Sequence, residues 1–230
     1  MKRLGLYIHI PFCDRICNYC DFTAFQGANS KIKEYVEALK KEIEFKGNKN
    51  FSIDSIFIGG GTPSFIDGKY IFEILEKVKE NFIVLDNIEI SIETNPKTFD
   101  EKKLEYYKSA KINRVSIGVQ SFNDKILKEL GRNHNSKEAL ESIELVKKFG
   151  FDINLDLIFG YQSQTIEDIL YDLEMVKNIN PEHISYYALI IEEKTKFKAL
   201  QNVGKLDFLD EETERKMYHL IVEKLEEMGL

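Results

Sequence analysis

The chain has 230 residues, 43% of them hydrophobic, and a formal net charge of −7. That length makes one large domain or two small ones, with apolar content enough for a real core. Its lysines and arginines are interspersed with acids rather than massed, so nucleic acid is not expected as a partner, and a run such as Lys40-Lys41-Glu42 reads as a solvated helix face.

The amino terminus carries two basic residues and then an apolar stretch too short for a signal peptide, broken by His9 and Pro11. Residues 5–10 alternate through Tyr7-Ile8-His9-Ile10 and read as the first strand, with His9 satisfied by a neighbour. Cys13, Cys17 and Cys20 follow, spaced C-x3-C-x2-C, and are the only cysteines present. An odd thiol count cannot close into disulfides. A tight loop of three soft ligands suits a 4Fe-4S cluster, leaving one iron open to a small molecule. Two alternatives remain open on spacing alone: zinc with His9 or Asp21 as fourth ligand, and a Cys17–Cys20 redox pair that leaves Cys13 unexplained. Free thiols in an unexported chain fit a reducing cytoplasm, the expected location.

Helical spacing through Tyr35, Leu39 and Ile43 stops at Gly47. Residues 55–58 read as an apolar strand buried on both faces, running into Gly59-Gly60-Gly61-Thr62-Pro63. The glycines let backbone approach a ligand closely. The run is neither G-x-G-x-x-G nor a P-loop, so phosphate binding is not indicated. Ile71, Ile74, Leu75 and Val78 mark a helix, and 88–92 a third strand. Strand parity puts Glu89, Ser91 and Glu93 on one face, opposite Ile90 and Ile92. A carboxylate at Glu93 suits an amine or a ribose hydroxyl.

The fourth strand, 114–119, leads to Gln120, whose amide suits a nucleoside. Arg132 is expected beside a carboxylate or in solvent. His134, His183 and His219 lack metal-ligand spacing and read as surface or turn residues. A helix through Ala139, Leu140, Ile143 and Val146 ends at Gly150, and the fifth strand, 153–158, holds Asp156 among apolar neighbours, where a carboxylate must be paired or liganded. Ile169, Leu173 and Val176 give a further helix stopped by Asn180-Pro181. The sixth strand is 183–189, and Met217, Leu220, Ile221, Leu225 and Met228 form a last helix. The longest apolar run, 184–191, is far below the roughly 18 residues of a membrane span.

This alternation means a parallel α/β sheet, doubly wound or curled toward a barrel. The cysteines, the triple glycine, Glu93, Gln120, and Asp156 with Gly160 all fall at the carboxyl ends of strands. Such folds build their sites on that rim, so these residues are expected to converge within one domain.

The stretch Tyr7-Ile8-His9-Ile10-Pro11-Phe12-Cys13, with Cys17, Cys20 and Gly59-Gly60-Gly61-Thr62-Pro63, resembles the radical S-adenosylmethionine (SAM) superfamily. Within it, the chain is similar to the oxygen-independent coproporphyrinogen oxidase group. Glu93-Thr94-Asn95-Pro96, Gly118-Val119-Gln120-Ser121-Phe122 and Asp156-Leu157-Ile158-Phe159-Gly160 carry the likeness through all six units and displace the zinc reading. The resemblance implies an open (βα)6 partial TIM-type barrel with parallel strands, one core domain over residues 1–230. It implies that Cys13, Cys17 and Cys20 hold a 4Fe-4S cluster whose free iron SAM chelates through its amino and carboxylate groups. Tyr7, Tyr19, Gly60, Gly61, Thr62, Glu93, Gln120, Arg132 and Asp156 match SAM contacts of the family. The implied chemistry is electron transfer from the reduced cluster to the sulfonium, releasing methionine and a 5′-deoxyadenosyl radical.

Phe22 stands two residues after Cys20, where the coproporphyrinogen dehydrogenases of the group carry a fourth cysteine. Cys20-Asp21-Phe22 and Leu130-Gly131-Arg132-Asn133-His134 are instead similar to the HemW-type haem chaperones, which bind haem and deliver it to acceptor proteins. That branch implies haem as a further ligand, a haem-acceptor protein as partner and a small reductant protein as electron donor. Oxidative decarboxylation of coproporphyrinogen III to protoporphyrinogen IX is the alternative. The family's further strand, its carboxyl-terminal domain and a His-Asn-x-x-Tyr-Trp motif are not found in this chain, which has no Trp and is expected to be a truncated form.

Overall fold

The computed structural model describes residues 2–230. In chain order the elements are β1 (Lys2–Ile10), β2 (Phe12–Cys13), β3 (Phe25–Gln26), α1 (Ile32–Lys46), β4 (Phe51–Gly60), α2 (Gly68–Asn81), β5 (Ile83–Thr94) and α3 (Glu101–Ser109). They continue as β6 (Arg114–Gln120), α4 (Asp124–Leu130), α5 (Ser136–Lys148), β7 (Asp152–Phe159), α6 (Ile166–Ile179), β8 (His183–Ala188), α7 (Lys196–Asn202) and α8 (Glu211–Met228). Six strands form one sheet in the order β1-β4-β5-β6-β7-β8, with every neighbouring pair parallel. The sheet is curled into a half-barrel of the partial TIM type, as the sequence implies. β2 and β3 form a separate parallel pair that frames the cysteine loop.

The two faces of the sheet differ in chemistry. Ile92, Val115, Ile117 and Leu155 are fully buried, and pack with Ile71, Ile74 and Leu75 of α2 and Ile143 and Val146 of α5 in the main core. Each such side chain contributes about 1.5–3 kcal/mol on leaving water. The opposite parity is polar across the sheet: Ser91 pairs in register with Arg114, Glu93 with Ser116, Gly118 with Asp156, and Asp156 with Ser185. The Ser91 hydroxyl donates to the Glu89 carboxylate at 2.7 Å, so these two share a face as strand parity predicts.

Residues 55–58 depart from expectation. Ile56 and Ile58 are buried, but Ser55 is exposed and Phe57 is 41% exposed. The cause is curvature: a half-barrel covers only the outer face of β4 with helices, and its inner face stays open. Lys40 also departs, since it bridges Glu37 on its own helix and Glu73 on α2 rather than facing solvent. Helix ends follow the punctuation in the sequence. Asn135 and Glu138 form a capping box on α5, Thr165 and Asp168 another on α6, and Asn180 closes α6 at φ 50°.

Candidate cofactor site

A cavity of about 280 Å³ opens at the carboxyl ends of the strands. Eleven of the twelve residues expected there line it: Cys13, Cys17 and Cys20; Tyr19; Gly60, Gly61 and Thr62; and Glu93, Gln120, Arg132 and Asp156. Tyr7 is the exception. It is 55% exposed, stacks on Phe57, and its hydroxyl lies 2.9 Å from His9 Nδ1, outside the lining. A larger cavity of about 810 Å³ lies at the other end of the sheet, beside Lys79, Ile83 and Lys111. It has no thiol and none of the expected residues.

The cysteine loop is fastened at three places. Phe25 N donates to Pro11 O at 2.7 Å, closing the base of the loop, and His9 Nε2 lies 2.9 Å from Thr23 O. With Tyr7 on its other nitrogen, His9 is satisfied as a strand residue and has no free ring nitrogen for a metal. Asn18 docks the loop on the end of α4: its N–H donates to Leu130 O at 3.1 Å and its amide to Glu129 O at 2.9 Å. Cys13 is buried on β2 with its sulfur 3.5 Å from Thr62 Oγ1.

The residues fit a sulfur-ligated group. Burial pushes the Cys13 thiol up, and pushes Cys20 up to about 11. Without metal both are neutral, and metal binding would displace their protons. Among the described residues, no three His, Cys, Asp or Glu converge around a single-ion position. Glycine keeps the wall thin. A Cβ on Gly61 would lie 3.0 Å from Cys13 Sγ and 2.9 Å from Phe12 O, and one on Gly60, at φ +119°, would lie 2.6 Å from the His9 ring. Backbone can therefore reach a ligand at this corner where a side chain could not.

The facing wall is polar. Glu93 accepts from Gly60 N at 3.1 Å; burial, reinforced by the charge of Asp156, raises its carboxyl to about 7 despite that hydrogen bond. Asp156 accepts from Ser116 Oγ at 2.8 Å and Asn154 Nδ2 at 2.6 Å, the pairing its apolar sequence context requires, and burial still raises it. Gln120 is 5% exposed at φ 71° and its Oε1 accepts from Tyr187 at 3.1 Å.

Arg132 and His134 differ from their sequence-based expectations. Arg132 is buried and makes no ion pair with a carboxylate among the described residues. Its Nη2 donates to Asn95 Oδ1 at 2.5 Å and Gly118 O at 2.6 Å, and its Nη1 to Cys17 Sγ at 3.2 Å. His134 is not a surface residue either: it is 5% exposed, bonds Val119 O through Nε2, and burial lowers it to about 4, so it is neutral. His183 Nδ1 meets Asn154 Oδ1, and His219 is exposed.

Asp172 braces the site from behind, a role the sequence did not single out. Fully buried on α6, it accepts from Phe122 N at 2.6 Å and from the Ser121 hydroxyl at 2.9 Å, clamping the turn that presents Gln120. Its signal was a carboxylate three residues after Ile169, on the apolar face of that helix. Asn95 and Asn154, which orient Arg132 and Asp156, carry no such signal.

A half-barrel with three thiols and a glycine-thinned polar cavity on its carboxyl rim is built to hold a soft-metal group beside a polar small molecule. The family model of the radical SAM superfamily matches residues 7–176, and the chain belongs to that superfamily. The family implies a 4Fe-4S cluster and SAM as cofactors. The chain is 42% identical over 204 residues to the haem chaperone HemW of Buchnera aphidicola subsp. Acyrthosiphon pisum, covering 86% of this chain and 54% of that protein. It is 36% identical over 228 residues to the haem chaperone HemW of Bacillus subtilis, covering 97% and 60%. The structure of coproporphyrinogen III oxidase (HemN) from Escherichia coli, a radical SAM enzyme, superposes with a TM-score of 0.88 at 26% identity, covering 99% of this chain and 53% of that one. The chain thus spans little more than half the length of these relatives. No helix among the described residues is long and apolar enough to cross a membrane.

Proposed function

We propose that the chain is the cofactor-binding core of a HemW-type haem chaperone, holding a 4Fe-4S cluster through Cys13, Cys17 and Cys20 and SAM in the adjoining cavity. A 4Fe-4S cluster held there would, once reduced, supply the one-electron chemistry by which the family can cleave the SAM sulfonium. The protein's own part is to seat and orient. The Glu93 carboxylate attracts the amino group of SAM, and the backbone at Gly60 and Gly61 closes on its amino-acid end. Gln120, Asp156 and Tyr187 offer donors and acceptors to the nucleoside, and Thr62 and Tyr19 flank the thiols.

The observation that carries the chaperone reading is Phe22. It lines the cavity, is 70% exposed, and stands where the decarboxylating enzymes carry a cysteine. An exposed aromatic ring beside the thiols offers a flat porphyrin a stacking surface and offers iron no ligand. A haem-acceptor protein and a small electron-donor protein complete the reading.

The fold shared with coproporphyrinogen III oxidase is the reason to test decarboxylation as the second reading. Reconstituted protein should bind haem, shifting its Soret band, and should yield no protoporphyrinogen from coproporphyrinogen III with SAM and reductant. Formation of protoporphyrinogen at enzymatic rates would reverse the order of the two readings.

A further inference from the structure

A row of polar side chains crosses the inner face of the sheet in register. Glu93 on β5 lies opposite Ser116 on β6, Ser116 opposite Asn154 on β7, and Asn154 opposite His183 at the start of β8. Side chains opposed in this way stand close enough to bond. Asp156, two residues further along β7 on the same face, lines the cavity; Asn154 and His183 do not. The hydrogen bonds follow the row. Asn154 Nδ2 lies 2.6 Å from Asp156 Oδ1 and 2.7 Å from Ser116 Oγ, and Ser116 Oγ lies 2.8 Å from Asp156 Oδ2. On its other side Asn154 Oδ1 meets His183 Nδ1 at 2.5 Å and Ser185 Oγ at 3.2 Å.

The chemistry of these groups fixes which way each one points. An ionised carboxylate only accepts, so the Asn154 atom facing Asp156 is the NH2 group. Ser116 spends its one proton on Asp156 Oδ2 and accepts from that NH2. The amide oxygen of Asn154 is thereby turned toward β8, where it needs a donor, and His183 carries a proton on Nδ1. Asn154 is 2% exposed, so an amide rotated the other way would strand polar atoms out of reach of water. His183 is held in place from its neighbour: the Glu182 carboxylate accepts from Ile153 N at 2.8 Å, tying the start of β8 to β7. Arg114, on the same face, is paired with Glu89 at 3.1 Å, and the hydrogen bonds that orient Asp156 come from the neutral donors Ser116 and Asn154.

We propose that His183 is a positioning residue for the cofactor site: through Asn154 it fixes the Asp156 carboxylate that faces the SAM nucleoside. This rests on the reading that Asp156 takes part in seating SAM. His183 lies outside the cavity and is exposed, and its side chain bonds Asn154. With the Nδ1 proton on its oxygen, the Asn154 amide cannot turn its NH2 away from Asp156. Both carboxylate oxygens are then anchored to the sheet, and their remaining lone pairs are left for a donor on the ligand, such as a ribose hydroxyl. Without His183 the amide is free to rotate, and Asp156 loses one of its two anchors.

The test is a mutant cycle on the full chain, reconstituted anaerobically with iron and sulfide, with SAM affinity read by equilibrium dialysis. His183→Ala should weaken SAM binding about threefold and Asn154→Ala about tenfold, the range a neutral hydrogen bond is worth. In an Asp156→Ala background neither substitution should weaken binding further, because both act through that carboxylate. His183→Asn, whose Nδ2 can stand where Nδ1 stood, should restore native affinity. ¹⁵N spectra should show His183 protonated on Nδ1 in the native chain, a preference lost in Asn154→Ala. The proposal is overturned by His183→Ala protein of native affinity, by a His183→Asn chain no better than the alanine variant, or by losses that persist unchanged without Asp156. Should Asn154→Ala fail to fold by circular dichroism, the His183 variants decide alone. Native-strength binding in Asp156→Ala would instead remove the reading of Asp156 on which the proposal rests.

Discussion

Asn18 and Gly131 lie in contact so close that a Cβ on the glycine would stand 2.7 Å from Asn18 Cγ. Asn18 donates to Glu129 O and Leu130 O, so the contact is the hinge by which the cysteine loop hangs on α4.

Replacing Gly131 with alanine forces a left-handed backbone, at about 1–2 kcal/mol, and also pushes Asn18 away. Gly150 has a similar φ of +68° with nothing within 4 Å of the missing Cβ, so Gly150→Ala carries the backbone cost alone. Urea unfolding should find Gly131→Ala the less stable of the two. Iron uptake should fall in Gly131→Ala and stay native in Gly150→Ala.

Asp172 makes a stability prediction with a defined pH sign. Burial raises its carboxyl from 3.8 to about 7, while the Phe122 N–H and Ser121 hydroxyl pull the other way. The folded state therefore holds this proton more tightly than the unfolded one. Its contribution is complete below about pH 4 and is lost as pH rises through about 7. Stability measured from pH 4 to 8 should show that decline in the native chain and a flatter curve in Asp172→Asn. Asp172→Ala, which strands two buried donors, should cost about 1–3 kcal/mol per unpaired group.

Glu93 connects pH to ligand binding. With its carboxyl at about 7, much of the population is protonated at neutral pH and is a weaker acceptor for the amino N–H of SAM. SAM affinity, measured by equilibrium dialysis on reconstituted protein, should rise as pH increases through 7. Glu93→Gln should abolish that rise and weaken binding at pH 8 by on the order of tenfold to a hundredfold, the worth of a hydrogen bond to a charged group.

Much of this was legible in the sequence because it rests on periodicity and punctuation. Strands such as 114–119 were placed to within a residue, since Val115, Ile117 and Val119 alternate with small or polar residues. The strand-end residues meet on one rim, because parallel strands deliver their carboxyl ends to one edge whatever lies between. Two kinds of feature were hidden. The helix α7 buries Phe197 alone, too little for a pattern, and the exposure of Phe57 depends on curvature, which local sequence does not encode. Arg132 shows the second kind: its neighbours Asn95, Gly118 and Cys17 come from three other segments, so no local window reveals that it lacks a carboxylate. Tyr7, assigned by motif likeness, turns its hydroxyl to His9 instead of the cavity.

The central claim is that Cys13, Cys17 and Cys20 hold a cluster with one iron open to SAM. Its most direct measurement is EPR of anaerobically reconstituted, dithionite-reduced protein before and after adding SAM. The account predicts about four irons per chain, a reduced-cluster signal that changes shape with SAM, and loss of that signal in the triple Cys→Ala variant. An unchanged signal in the variant, or native protein that stays colourless and iron-free, would contradict it.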